Sequence, residues 1–311
     1  MMRSLFSACV LLWGCASTVT SGQPPTTSPI PAPAADSVNN APSSGDDPPL
    51  VFGDTGDGGS DCPAESTWIY TVDVDGRFAS FHPDTLKFDD IGKLNCPASS
   101  GAIPFSMAVD RKPRAWVSYD SSEVFYVDTK NASCTATGFP HNQSGYSVFG
   151  MGFVSDTSGS ANETLFVSGS SDISTLASAG TLGSVNAQTL KISSIHSLSS
   201  AADLTGTGTG DLWGFFALAA NPHVAKIDKA TGSIGTTFSV PGFSSSGAWA
   251  FAQWGGDFWL FLADGGATGG YGDTTVYQLH TATGKVTAAL KNTGRTIVGA
   301  GVSTCAPTII Q

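Results

Sequence analysis

The sequence predicts an all-β fold, a five-bladed β-propeller closed by its C-terminal strand. Three observations predict it: a glycine-rich composition with almost no helical periodicity, a unit that recurs five times, and a spare strand after the fifth copy. Thirty-seven glycines among 311 residues, with many short apolar runs between them, describe strands joined by turns. With 41% hydrophobic residues the chain can fill a sizeable core, and one β domain can use 200 to 250 residues.

Each unit is led by a strand rich in aromatic and branched residues, at 68–72 (Trp-Ile-Tyr-Thr-Val), 115–119, 164–168, 212–216 and 258–262. Most of these strands run into a turn on Asp, Asn, Ser or Gly, such as Asp73, Asp120 and Asp264. A second strand follows and ends at His82, Asp128, Asn186, Asp228 and His280, in steps of 46, 58, 42 and 52 residues. That spacing is close to the roughly 40–50 residues of a propeller blade. A third strand leads away, as at 233–240 and 285–290. Five copies give five blades, and a ring leaves no long unprotected sheet edge. A β-sandwich would not require five similar units, and a sixth blade has no copy of its own.

Ring closure is also legible. The first copy lacks an innermost strand before Trp68, and the last is followed by Ile-Val-Gly-Ala-Gly-Val at 297–302, whose small residues suit a crowded axis. This segment is expected to complete the first blade. The other inner strands, such as 147–154 and 248–253, are apolar or neutral; Asp110 ends one inner strand and Asp203 lies in another, and both are read as turn caps.

The N-terminal residues predict export. Arg3 precedes an apolar stretch over 5–13, about nine residues against the roughly 20 of a spanning helix. Leu12-Trp13-Gly14-Cys15 resembles the bacterial lipobox, with Trp13 as its departure from the pattern. The resemblance implies a signal peptide over 1–14, acylation of Cys15 as the lipid anchor, and, with the uncharged Ala16 next, sorting to the outer membrane. Residues 15–61 are Pro, Ser, Thr, Ala, Gly and Asp with hardly an apolar cluster, too little to fold. They read as a disordered tether with a root-mean-square reach of about 40 Å. The propeller then occupies 62–311.

Four cysteines remain beyond the anchor and Cys9 of the signal. An even number in an exported domain implies disulfides, and four allow three pairings. Cys62 immediately precedes the first blade and Cys305 follows the closing strand, so this pair would staple the ring; Cys96 and Cys134 flank outer strands of adjacent blades. In the chain-entropy model the long loop is worth about 4–5 kcal/mol. No close Cys-x-x-Cys or Cys/His spacing suggests a metal.

Chemistry is sparse. A net charge of −11 and a pI near 4.6 leave no basic stripe for nucleic acid. Glycosidases on five-bladed propellers need a pair of carboxyls, whereas glutamate occurs only as Glu65, Glu123 and Glu163. Five histidines are scattered, with His82 and His280 at equivalent repeat positions, and Gly206-Thr-Gly-Thr-Gly210 has no following helix with a phosphate-binding Lys. No cofactor and no metal site is expected. The segment 264–273 stands out as a long Gly-rich connection within one blade; Asp264, Tyr271 and Asp273 make it the candidate binding loop. Trp254 and Trp259 lie near it in sequence and read as blade packing.

The run 202–216 (Ala-Asp-Leu-Thr-Gly-Thr-Gly-Thr-Gly-Asp-Leu-Trp-Gly-Phe-Phe), followed by Ile-Asp-Lys-Ala-Thr-Gly at 227–232, resembles uncharacterised propeller lipoproteins of myxobacterial type. The resemblance implies the fold and the anchor and carries no activity. The expected function is therefore a membrane-tethered propeller that binds or scaffolds an envelope protein or surface ligand. A small-ligand or glycan-binding module and a metal-dependent hydrolase are the alternatives.

Overall fold

A computed structural model describes residues 62–143, 145–243, 247–265 and 271–309, with Tyr271 as backbone alone. The segment expected to be the signal, Cys15 and the expected tether up to residue 61 lie outside the described residues.

Blade I holds β1 (Ile69–Asp73), β2 (Arg77–His82) and β3 (Lys87–Lys93). Blade II is β4 (Pro104–Val109), β5 (Arg114–Tyr119), β6 (Val124–Asp128) and β7 (Cys134–Ala136). Blade III is β8 (Val148–Ser155), β9 (Glu163–Ser170), β10 (Gly180–Val185) and β11 (Ile192–Leu198). Blade IV is β12 (Asp203–Gly206), β13 (Leu212–Phe216), β14 (His223–Ile227) and β15 (Ile234–Ser239). Blade V is β16 (Ala248–Trp254), β17 (Asp257–Gly265), β18 (Tyr271–His280) and β19 (Lys285–Leu290). The last strand, β20 (Ile297–Gly301), returns to blade I and pairs antiparallel with β1, so every blade is a four-stranded sheet. The inner strands β4, β8, β12, β16 and β20 contact one another in cyclic order around the axis. The chain is thus the five-bladed propeller the repeat predicted, closed by its C-terminal strand.

Local chemistry explains the repeat. Asp128, Asn186 and Asp228 each end the third strand of a blade, and their side chains accept backbone N–H groups two or three residues on, as from Thr231 N at 2.7 Å to Asp228. Such Asx turns reverse the chain toward the outer strand. At the hairpins that lead outward, Asp73 and Asp110 do a related job. Asp110 accepts from Lys112 N at 3.0 Å and Arg114 N at 3.1 Å and pairs with the Arg114 guanidinium, so it caps a turn as read.

Burial follows the strand order. β1 and β8 are buried along their whole length and β5 from Ala115 onward, whereas the outermost strands such as β15 are largely exposed. Aromatic side chains fill the seams between blades. Phe261 of blade V meets Phe81 of blade I edge-on with ring centroids 5.4 Å apart, and Trp259 stands 5.6 Å from the same ring. Trp254 and Trp259 are both buried here, so they are blade packing. The axis is as crowded as the small residues of β20 suggested: a Cβ on Gly301 would lie 3.0 Å from Ala108 Cα.

Two disulfides fix the periphery. Cys62–Cys305 joins the segment before blade I to the segment after β20 across 243 residues of sequence, and Cys96–Cys134 joins the outer edges of blades I and II. Both are the pairings expected from the positions of the cysteines.

Candidate functional site at the mouth of the ring

The inner strands run in parallel around the axis, and the end of the ring where they begin is its mouth. A cavity of about 350 Å³ opens there, within the range of small-ligand sites. Its walls come from all five inner strands, including Ser106, Gly150, Asp203, Trp249 and Val298. The rim is apolar: Phe105 and Leu218 are half-buried, and Ile173, on a single 3-10 turn after β9, is 60% exposed. Few large apolar side chains are this exposed among the described residues, and an apolar rim around a cavity is a recognised mark of a binding surface.

At the base of the cavity lies Asp203. Its position overturns the turn-cap reading and the expectation of an acid-free axis. Asp203 opens β12, and its carboxyl, besides accepting from its own strand, reaches across the axis to other blades. Oδ1 accepts the Ser106 hydroxyl of blade II at 3.1 Å and the Leu204 N–H at 3.2 Å, and Oδ2 accepts the Phe251 N–H of blade V at 3.3 Å. The side chain therefore spans blades II, IV and V. Gly150 on β8 makes the room: a Cβ there would lie 2.6 Å from Asp203 Cα and 2.8 Å from Oδ1. Burial pushes the carboxyl up to about 7, against the three hydrogen bonds that favour its ionised form. No charged group contributes to that shift.

The opposite end of the ring is closed by a polar knot. Arg111 is buried; its guanidinium donates to Thr304 Oγ1 at 3.1 Å and to Cys62 Sγ at 3.2 Å, and its N–H donates to Glu163 Oε1 at 2.8 Å. Thr304 in turn donates to Glu163 Oε2 at 2.9 Å. Burial raises Glu163 to about 7 as well. Because these bonds join the terminal disulfide to blades II and III, they lock the closure.

Two carboxyls with raised proton affinity invite comparison with a glycosidase pair. Asp203 lies beside Gly150, while Glu163 pairs with Ser155 at the far end of β8. Five residues of strand, roughly 16 Å, separate these positions. Glycosidase carboxyls stand about 5–9.5 Å apart. These two do not form such a pair.

The candidate loop resolves differently from its sequence reading. β17 and β18 continue to Gly265 and Tyr271, which pair, so the connection is a hairpin and 266–270 alone lie outside the described residues. Asp273 is engaged within the fold: Oδ1 accepts the Arg295 N–H at 3.0 Å and the Thr293 hydroxyl at 3.2 Å. Asp264 is exposed on the last turn of β17. Ala248 at the mouth pairs with Ala263, so this hairpin projects at the same end of the ring as the cavity. His82 and His280 are strand-end residues, paired with Asp89 and Asp257. In a larger groove of about 750 Å³ beside Lys112 and Tyr126, Lys130 is paired with Glu65 and Arg114 with Asp110. No group of His, Cys, Asp or Glu among the described residues is arranged to hold a metal ion.

No family model matches the chain, and no curated protein matches it. Among solved structures, a protein of unknown function from Bacteroides caccae is similar at 11% identity with a TM-score of 0.42, over 75% of this chain and 97% of its own. The nidogen/laminin complex is similar at 12% identity with a TM-score of 0.44, over 78% of this chain and 81% of that one.

Proposed function

We propose that the chain is an exported, lipid-tethered propeller that acts as a binding module and docks a partner of the cell envelope at the mouth of its ring. Acylated Cys15 anchors it in the outer membrane, the segment 15–61 serves as tether, and the sequence pattern of propeller lipoproteins of myxobacterial type supports this arrangement. The apolar rim around the axial cavity carries the docking reading, because Phe105, Leu218 and the exposed Ile173 stand together beside an open cavity instead of being scattered singly over the surface. The two disulfides agree with an oxidising compartment.

The test is site-specific photo-cross-linking in intact cells. A photoreactive residue at Ile173 is expected to capture a discrete adduct, whereas the same residue at Ile234, exposed on the outer strand of blade IV, is not. Equal capture at both positions, or none at Ile173, sinks the reading. Cys15→Ser should move the protein from the membrane to the soluble envelope fraction; retention in the membrane removes the anchor.

A further inference from the structure

Deepening that reading, and resting on the mouth as the binding end, we infer that the axial cavity takes a primary ammonium group on an apolar stem, with Asp203 as its counter-ion. Three features of the cavity lead there. First, Asp203 is the sole charged side chain among the described residues that line it; no Lys, Arg or His reaches it from any blade. Second, the carboxylate is aimed and held. Three protein donors fix it, while an ionised carboxylate has about four acceptor positions. One is left for a group entering from the cavity, and a charge-assisted hydrogen bond is the strongest it could receive. Third, the walls above it are apolar and aromatic, with Phe105, Leu176, Leu218 and Trp249 placed to cover an aliphatic stem.

Charge balance selects the ammonium. An ionised carboxylate in an apolar cup is costly on its own, and a cation bound beside it offsets part of that cost. An anionic ligand would set two like charges together, and a neutral one would leave the carboxylate without a counter-ion. The chain's net charge of −11 biases encounter in the same direction. The ammonium has two sources, a lysine side chain or N-terminus of a partner protein and a free amine.

The experiment titrates the full-length exported protein, both disulfides intact, with hexylamine, hexanol and hexanoate at pH 8 and at pH 5.5. At pH 8 hexylamine is expected to bind about tenfold or more tightly than hexanol, with hexanoate weakest. At pH 5.5 the preference should collapse, because Asp203 then carries its own proton. The groups facing Asp203 are Ser106 of β4, Gly150 of β8, the Phe251 backbone of β16 and Val298 of β20, and none of them titrates. In Asp203→Asn the three probes should fall within about twofold of the hexanol value. Wild-type protein supplies the second readout: carboxyl NMR should show saturating hexylamine lowering the Asp203 titration midpoint, and hexanol failing to do so. Equal binding of amine and alcohol at pH 8, an undisplaced midpoint, or no amine binding at millimolar concentration overturns the inference.

Source is separated by a further arm. A terminally capped Gly-Lys-Gly peptide that binds more tightly than its Nε-acetylated form, and than hexylamine, points to a protein-borne lysine; hexylamine binding more tightly than the capped peptide points to a free amine, and tighter binding of the acetylated form overturns the inference. Cross-linking at Ile173 without amine preference overturns the ammonium site and leaves docking intact. Amine binding without a cross-link does the opposite.

Discussion

Replacing Asp203 with Asn should change how the stability of this protein responds to pH, and the size of the change follows from the position of the carboxyl. Burial raises Asp203 from 3.8 to about 7. A group that binds its proton more tightly when folded makes the native state hold more protons than the unfolded chain, so stability falls as pH rises. The fall is confined to the window from about pH 4 to about pH 7. At roughly 1.4 kcal/mol for each tenfold change in proton affinity, the ionised form costs the fold up to about 4 kcal/mol above that window.

Asn does not titrate, so the variant escapes this term. Its carbonyl can still accept from Ser106 and Leu204, but its amide nitrogen then faces the Phe251 N–H, donor against donor. That mismatch costs about 1–3 kcal/mol at every pH. The two profiles should therefore cross, with wild type more stable near pH 4 and the variant more stable by about 1–3 kcal/mol near pH 8. Thermal unfolding at closely spaced pH values measures it; for a domain of this size a relative swing of 4 kcal/mol corresponds to about 8–16 °C. Glu163 titrates in the same window in both proteins and cancels in the difference. Parallel profiles, with a gap that does not vary between pH 4 and pH 8, would refute the placement of Asp203.

Opening the Cys62–Cys305 staple by Cys62→Ser with Cys305→Ser should cost about 5 kcal/mol, against about 4 for Cys96–Cys134, because the bridged separations are 243 and 38 residues. Denaturant titrations of the two double variants give the order, and a larger loss at Cys96–Cys134 would contradict ring closure as the dominant constraint. Phe261→Ala empties the seam where blades V and I meet, where Phe261 is fully buried between Phe81 and Phe88, and should cost about 3–5 kcal/mol. A loss below about 1 kcal/mol would mean that the seam repacks or is not formed.

What the sequence revealed and what it hid divide along a physical line. Strand periodicity and turn chemistry act over a few residues, so β5, β13 and β17, and the Asx turns at Asp128, Asn186 and Asp228, could be read directly. Closure was legible because the repeat leaves the first blade one strand short and the last with one to spare. The disulfides were legible because closure brings Cys62 and Cys305 to one place. The extent of the connection at 264–273 misled because a run of Gly between two Asp suggests ten irregular residues, whereas the pairing of Gly265 with Tyr271 brings β17 and β18 into it from both sides.

Asp203 was hidden for a different reason. Its partner Ser106 is 97 residues away in a blade it does not adjoin, and only the assembled ring sets one opposite the other. No periodicity encodes a contact across the axis. The sequence does hold a sign of it, in the comparison of equivalent positions. Level with Asp203 on the other inner strands stand Ser106, Gly150 and Phe251, none of them charged. A repeat that keeps uncharged residues at a crowded level and then places a carboxyl there has accepted a desolvation cost that packing does not require. The same comparison passes over Asp73 and Asp110, whose carboxyls answer to backbone donors within four residues. In a ring built from repeated units, a carboxyl whose partners are all local marks a structural residue. A charged residue that breaks the repeat and draws side-chain and backbone partners from other blades is where function is to be sought.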